Sequence, residues 1–145
     1  MRGIRMTDLS ALLERVRKAT GPDRELDGEI AATLRVGNNL PDWAQNWTGE
    51  WRPTIQGFVV LIQDDERPGP DFSSPKFTAS IDDALALAER VLPGATRAVD
   101  ATAPELGIDV DLFVGSGEFR GTSLSEPIAT ITALLSALIA QKAAG

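Results

Sequence analysis

Apolar residues recur at helical spacing through the first quarter of the chain. Leu9, Leu12, Leu13 and Val16 fall at i, i+3, i+4 and i+7, with Glu14, Arg15, Arg17 and Lys18 on the other side, so a helix opening at Thr7-Asp8 and running to about Ala19 buries one stripe. Thr20-Gly21-Pro22-Asp23 breaks it. Asp23 is placed to cap a second helix to about Val36 that buries Leu26, Ile30 and Leu34 and stops at Gly37-Asn38-Asn39, where positive φ is tolerated. A helical hairpin is the expected product.

The period then changes. Residues 40 to 53 carry all three tryptophans, Trp43, Trp47 and Trp51, at a spacing of four, but Asn46, Gly49 and Pro53 limit any helix to one turn followed by loop. Thr54 to Gln63 contains Phe58-Val59-Val60-Leu61-Ile62, too continuously apolar for a half-exposed strand, and reads as a central strand covered on both faces. Residues 64 to 75, charged and rich in Pro, Gly and Ser, read as a mobile loop.

The best-specified element follows, from Lys76 to Gly94. Ser80 with Asp83 three residues later resembles a capping box, Ile81, Leu85, Ala88 and Leu92 form a stripe, and Pro93-Gly94 end the helix. Ala95 to Thr102 is expected as a strand, joined by the short turn at 103 to 107 to an antiparallel neighbour, Ile108 to Val114. There Ile108, Val110, Leu112 and Val114 alternate inward against Asp109 and Asp111. Gly115 to Leu124 reads as a Gly/Ser-rich loop. Ser125 caps a last helix with Pro127 in its first turn and a wide apolar face, Ile128, Ile131, Leu134, Leu135, Leu138 and Ile139, before a fraying tail from Gln141. These elements predict one domain over residues 1 to 145, with residues 1 to 6 disordered. Its class is α/β (α+β), a three-layer α/β/α sandwich with a mainly antiparallel sheet of three to four strands and about four helices.

Composition narrows the chemistry more than the class. The chain has no histidine and no cysteine, which excludes disulfides, thiolate nucleophiles, Cys/His zinc sites and Ser-His-Asp triads. Carboxylate chemistry or a hard cation on oxygen ligands is left, and Asp109 and Asp111, with Asp100 across the ladder, are the candidates. Against that, acids alternating with core residues are what a half-buried strand carries anyway. The net charge of −7 has the wrong sign for direct nucleic-acid binding. No uninterrupted apolar run reaches the length of a membrane span and no secretion signal is visible, so a cytoplasmic protein is expected.

Candidate binding residues lie in three places. Trp43, Trp47 and Trp51 either cover an end of the sheet as core or form an aromatic wall for a planar ligand or a protein partner. The loop before the last helix offers close backbone approach at its glycines, Arg120, and the hydroxyls of Ser116, Thr122 and Ser123 next to a helix N-terminus, a plausible anion cradle that matches neither a Walker loop nor a dinucleotide fingerprint. Thr78 and Ser80 offer a similar cluster, and parallel helices on one sheet would bring the two N-termini to a common rim.

The segment Phe77-Thr78-Ala79-Ser80-Ile81-Asp82-Asp83-Ala84-Leu85-Ala86-Leu87, together with the opening Leu9 to Leu34 (including Thr20-Gly21-Pro22-Asp23-Arg24-Glu25-Leu26-Asp27) and the Ala/Leu-rich closing helix, resembles the small phage and prophage proteins grouped as the phage ABA sandwich domain. The resemblance implies an α/β/α sandwich and a viral origin, in the cytoplasm of an infected bacterium, without an established catalytic role or cofactor. It leads to a binding protein that counters bacterial immunity by sequestering a nucleotide-like signalling molecule, cyclic or linear, as a homo-oligomer. In that reading Trp43, Trp47 and Trp51 stack bases, while Ser80, Arg120, Thr122 and Ser123 hold phosphates. The alternatives are an inhibitor of a host defence protein anchored by the tryptophan segment and, behind both, a metal-dependent nucleotide hydrolase around Asp100, Asp109 and Asp111.

Overall fold

A computed structural model describes residues 4 to 38, 40 to 63 and 65 to 144. Five helices, α1 (Met6–Lys18), α2 (Arg24–Leu34), α3 (Asp42–Gln45), α4 (Ile81–Val91) and α5 (Glu126–Ala144), accompany six strands, β1 (Trp51–Pro53), β2 (Phe58–Ile62), β3 (Pro68–Ser73), β4 (Thr96–Asp100), β5 (Ile108–Val114) and β6 (Gly117–Ser123). The class is α+β, a sandwich of helices and antiparallel sheets as the sequence led one to expect. Its strands are divided between two three-stranded sheets, ordered β1-β2-β3 and β4-β5-β6.

α5 lies on the inner face of the second sheet, over β5 and β6, with α1 and α4 against it; α2 lies on β1 and β2 and meets α1. One contiguous apolar cluster runs through these contacts. α5 is buried from Ile128 to Leu135, and its threonines are tolerated there because Thr130 Oγ1 and Thr132 Oγ1 donate to the carbonyls of Glu126 and Ile128 at 2.9 and 2.8 Å. By length and mean hydropathy (1.4) α5 is also apolar enough to cross a membrane, but 56% of that window is buried inside the fold.

Several expectations are corrected. Residues 68 to 73 of the supposed mobile loop form β3, paired with β2 through Val59↔Phe72 and Val60↔Asp71; Asp64 lies outside the described residues. The supposed Gly/Ser loop is β6, in register with β5 from Ile108↔Ser123 to Val114↔Gly117. Gly115 holds φ at 59° at the first central position of the two-residue turn between them, and Ser116 does not, the pattern of a II′ hairpin. β2 is central, but its second face is covered only in part: Val59 and Leu61 are buried on one side, while on the other Phe58 is 40% exposed, Val60 half-buried and Ile62 buried. The α4 stripe is rotated from the expected one, with Ala84, Leu87, Ala88 and Leu92 buried and Leu85 only half-buried. Arg35, left-handed at φ 57°, ends α2 in place of the Gly-Asn-Asn run; Asn39 is outside the described residues. Of the six N-terminal residues expected to be disordered, Ile4 is core and Met6 opens α1, the first three lying outside the described residues. The tail is helical to Ala144 instead of frayed.

Candidate functional site

The residues that sequence reasoning brought forward are distributed over separate places. Thr78 is buried, and its bonds are internal. Its Oγ1 donates to Asp27 Oδ1 at 2.7 Å and accepts from the Asp23 amide at 2.8 Å, and its own amide donates to Asp27 Oδ1 at 2.8 Å. Arg24 Nη1 holds the other oxygen of Asp27 at 2.8 Å, and Arg24 Nη2 reaches the Ser74 carbonyl at 3.0 Å. This group ties the start of α2 to the segment before α4. Ser80 caps α4, its Oγ accepting from the Asp83 amide at 3.2 Å, while Asp83 Oδ2 accepts from the Lys76 amide at 2.8 Å.

Arg120 and Thr122 stand on the outer face of β6, opposite Asp111 and Asp109 of β5. The Arg120 guanidinium meets the Asp111 carboxylate as a fork, Nε to Oδ1 at 2.9 Å and Nη2 to Oδ2 at 3.1 Å, and Thr122 Oγ1 donates to Asp109 Oδ1 at 2.6 Å. The hydrogen bond from Arg120 holds the Asp111 carboxyl below the usual carboxylate range and raises the arginine further. Asp100 is held low by the Thr102 hydroxyl. Asp109 and Asp111 thus have a cation and a hydroxyl in front of them. Among the described residues no three His, Cys, Asp or Glu side chains are grouped as a metal site would need. Ser123 Oγ accepts from the Ser125 amide at 3.1 Å. The close approach that Gly121 permits is to a helix: a Cβ there would lie 2.0 Å from the Ala129 carbonyl oxygen of α5. No hydrogen bond or ion pair joins this group to Thr78 and Ser80 among the described residues.

The tryptophans do not share a helical face, because α3 is a single turn and Trp51 has entered β1. Trp51 is core, opposite Leu61, with its Nε1 donating to the Trp47 carbonyl at 3.1 Å. Trp47 is half-buried and packs edge-on against Trp43 at 6.3 Å between centroids. Trp43 is 52% exposed and borders an open depression with Gln63, Asp65, Arg67 and Pro70.

A larger concavity than the depression beside Trp43 lies between α1, α2 and β1, with a volume of about 770 Å³. That is in the range of small-molecule pockets, roughly 300 to 1,000 Å³. Three arginines (Arg5, Arg15 and Arg35) and three acids (Asp8, Glu29 and Glu50) line it, with Trp51 of β1 on one wall. Where the chain as a whole carries −7, this groove is balanced. Arg15 donates to Glu29 at 2.9 Å, and that bond raises the guanidinium pKa; Glu50 accepts two bonds from Arg52 at 2.8 and 3.0 Å, which lower its own. Among the described residues Arg5 and Arg35 form no ion pair, and the Arg35 guanidinium makes a single long contact, 3.5 Å, to the Trp47 carbonyl. Two arginines of the lining therefore have no carboxylate at ion-pair distance among the described residues, although three acids line the same cavity.

Among these lining residues, sequence reasoning put forward only Trp51 as a binding candidate. Arg15 could have been found, because a helical hairpin that buries Leu12 and Leu26 must turn other faces of α1 and α2 toward a shared rim. Arg35 gave no local signal, since its place depends on a left-handed residue where glycine was the better expectation. No protein-family model, curated protein or solved structure matches the chain.

Proposed function

We propose that the chain is a non-enzymatic binding protein of phage or prophage type that sequesters a nucleotide-like signalling molecule, and that its seat is the groove between α1, α2 and β1. The observation that carries the reading is the pair Arg5 and Arg35, cationic and without ion-pair partners among the described residues, in a cavity of ligand size. Arginine is suited to this because its planar fork matches phosphate oxygens in pairs. An overall charge of −7 works against anion binding at long range, but local neutrality within the groove removes most of that penalty once the ligand is inside a Debye length. The likeness to phage ABA sandwich proteins supplies the biological setting, a countermeasure to host immunity in the infected cytoplasm.

The experiment is uptake and recovery. Protein is incubated with a panel of cyclic and linear nucleotides, freed of excess, heated, and the released material identified. Intact nucleotide from the wild type, and none from an Arg5→Ala/Arg35→Ala variant, is the expected result. A nucleotide returned chemically changed would make the protein an enzyme, and a panel in which no compound shifts the melting temperature would remove the proposal.

A second reading rests on Trp43, whose ring is half in solvent beside Trp47 and Phe72. Tryptophan in that position is the kind of anchor that dominates protein interfaces, and it would serve an inhibitor of a host defence protein. Trp43→Ala separates the two, since it leaves the groove intact.

A further inference from the structure

β4 pairs with β5 on one side, and among the described residues no strand pairs with its other edge. Four of its five residues are exposed, and β5 is the element that packs along its length. Natural sheets blunt such edges with proline, lysine, bulges or a covering element, because a free row of amides and carbonyls templates another strand. The first sheet follows that rule, with Pro53 in β1 and Pro70 in β3. β4, Thr96-Arg97-Ala98-Val99-Asp100, has no proline, no lysine and an unbroken register with β5. Its two charges are also engaged elsewhere. Arg97 donates to Glu126 Oε2 at 2.8 Å, and Asp100 accepts from the Thr102 amide and hydroxyl at 3.0 and 2.6 Å. At the same end of the sheet Val99 is 39% and Leu106 82% exposed.

We infer that this edge is the seat of a second copy of the chain, whose β4 pairs antiparallel with the first across a two-fold axis at Ala98. The occupant follows from the strand's own sequence. In that register Ala98 faces Ala98 of the copy, Arg97 faces Val99, and Thr96 faces Asp100, so that no like charges are opposed and a hydroxyl stands against each carboxylate. A two-fold interface requires such self-complementarity. Two sheets of three strands become one of six, and Val99 and Leu106 gain a neighbour. The opposite edge is the poorer candidate, since Phe119, the one large apolar side chain of β6, is already packed on the core. Each copy carries −7, so the pairing is opposed at long range and tightens as salt is added.

The test is sedimentation velocity of the full chain from about 5 to about 500 µM, a range over which a reversible dimer changes its population. The wild type is expected to dimerise, more tightly at higher salt. Ala98→Lys puts an ammonium beside Asp111 on an exposed face of the single chain but opposes two ammonium groups across the axis, roughly 5 Å apart between Cα atoms. It is expected to weaken the dimer at least tenfold with an unchanged circular dichroism spectrum, while Glu118→Lys on the β6 edge leaves the dimer intact. Hydrogen exchange on the unsubstituted protein reads the same edge: β4 amides that exchange fast in dilute solution become protected on concentration. A wild type that stays monomeric throughout, an Ala98→Lys variant that dimerises as well as the parent, loss of the dimer in Glu118→Lys, or β4 protection independent of concentration each overturns the inference.

Discussion

Asp27 is the side chain on which the join between α2 and the α4 lead-in depends, and replacing it tests how that join is held. The residue is 0% exposed in the first turn of α2, and one oxygen accepts from both the Thr78 amide and the Thr78 hydroxyl while the other meets Arg24. Asp27→Ala removes three acceptor contacts at once. The Thr78 amide is then buried without a partner, which costs about 1 to 3 kcal/mol. Thr78 Oγ1 can turn to the Asp23 carbonyl, 3.2 Å away, and so loses less. Arg24, with a side chain 37% exposed, recovers part of its loss to water. With the broken buried ion pair the sum comes to roughly 3 to 5 kcal/mol, a fall in melting temperature of about 10 to 15 °C for a chain of this size. Asp27→Asn keeps a carbonyl for Thr78 and gives up the Arg24 pair, so roughly 1 to 2 kcal/mol is expected. Urea titration followed by tryptophan fluorescence measures both, since Trp47 and Trp51 pack on the same core. If Asp27→Ala unfolds within 1 kcal/mol of the wild type, or if the Asn variant is the less stable of the two, the reasoning is wrong.

Other outcomes follow from the same geometry. Gly121→Ala places a methyl group against the α5 backbone, which cannot move aside as a side chain would, and is expected to cost about 3 kcal/mol or more in chemical denaturation. Asp111 is held low by the Arg120 hydrogen bond, so its contribution is complete above the unfolded carboxylate value of about 3.9 and is lost as the pH falls through the lower folded value. Melting curves between about pH 5 and pH 2 should therefore show Asp111→Asn losing less stability in acid than the parent. Arg35→Gly relieves a left-handed non-glycine residue and should gain up to about 1 kcal/mol in stability, while abolishing nucleotide uptake in the recovery assay.

The α-helical part of the fold was legible because its signals are local. The stripe of α1 and the caps Asp23 and Ser80 are each written within a few residues, and each is found where expected. β3 and β6 were missed for the opposite reason: Pro68 to Ser73 and Gly117 to Ser123 have little strand propensity of their own and are strands because β2 and β5 offer them partners. The same limit applied to chemistry. Arg120 and Thr122 looked like free donors in a loop, and pairing with β5 set them against Asp111 and Asp109. Thr78 looked like a ligand hydroxyl and was committed to Asp27, fifty-one residues away. The groove between α1, α2 and β1 joins residues from Ile4 to Pro53 that no short motif links.

The central claim is that an anionic, nucleotide-like ligand is seated at Arg5 and Arg35 against the Trp51 wall. Two-dimensional nitrogen–proton spectra recorded while a nucleotide retained in the recovery assay is titrated in test this most directly, because the indole N–H groups report from different places: Trp51 at the groove, Trp43 at the outer depression, and Trp47, half-buried, between that depression and the core. The account predicts that the Trp51 indole and the backbone amides of Arg5, Thr33 and Arg35 shift in a saturable way while Trp43 and Thr122 stay in place. Saturable shifts at Trp43 or at Arg120 and Thr122, with Trp51 and Arg35 unmoved, would contradict it.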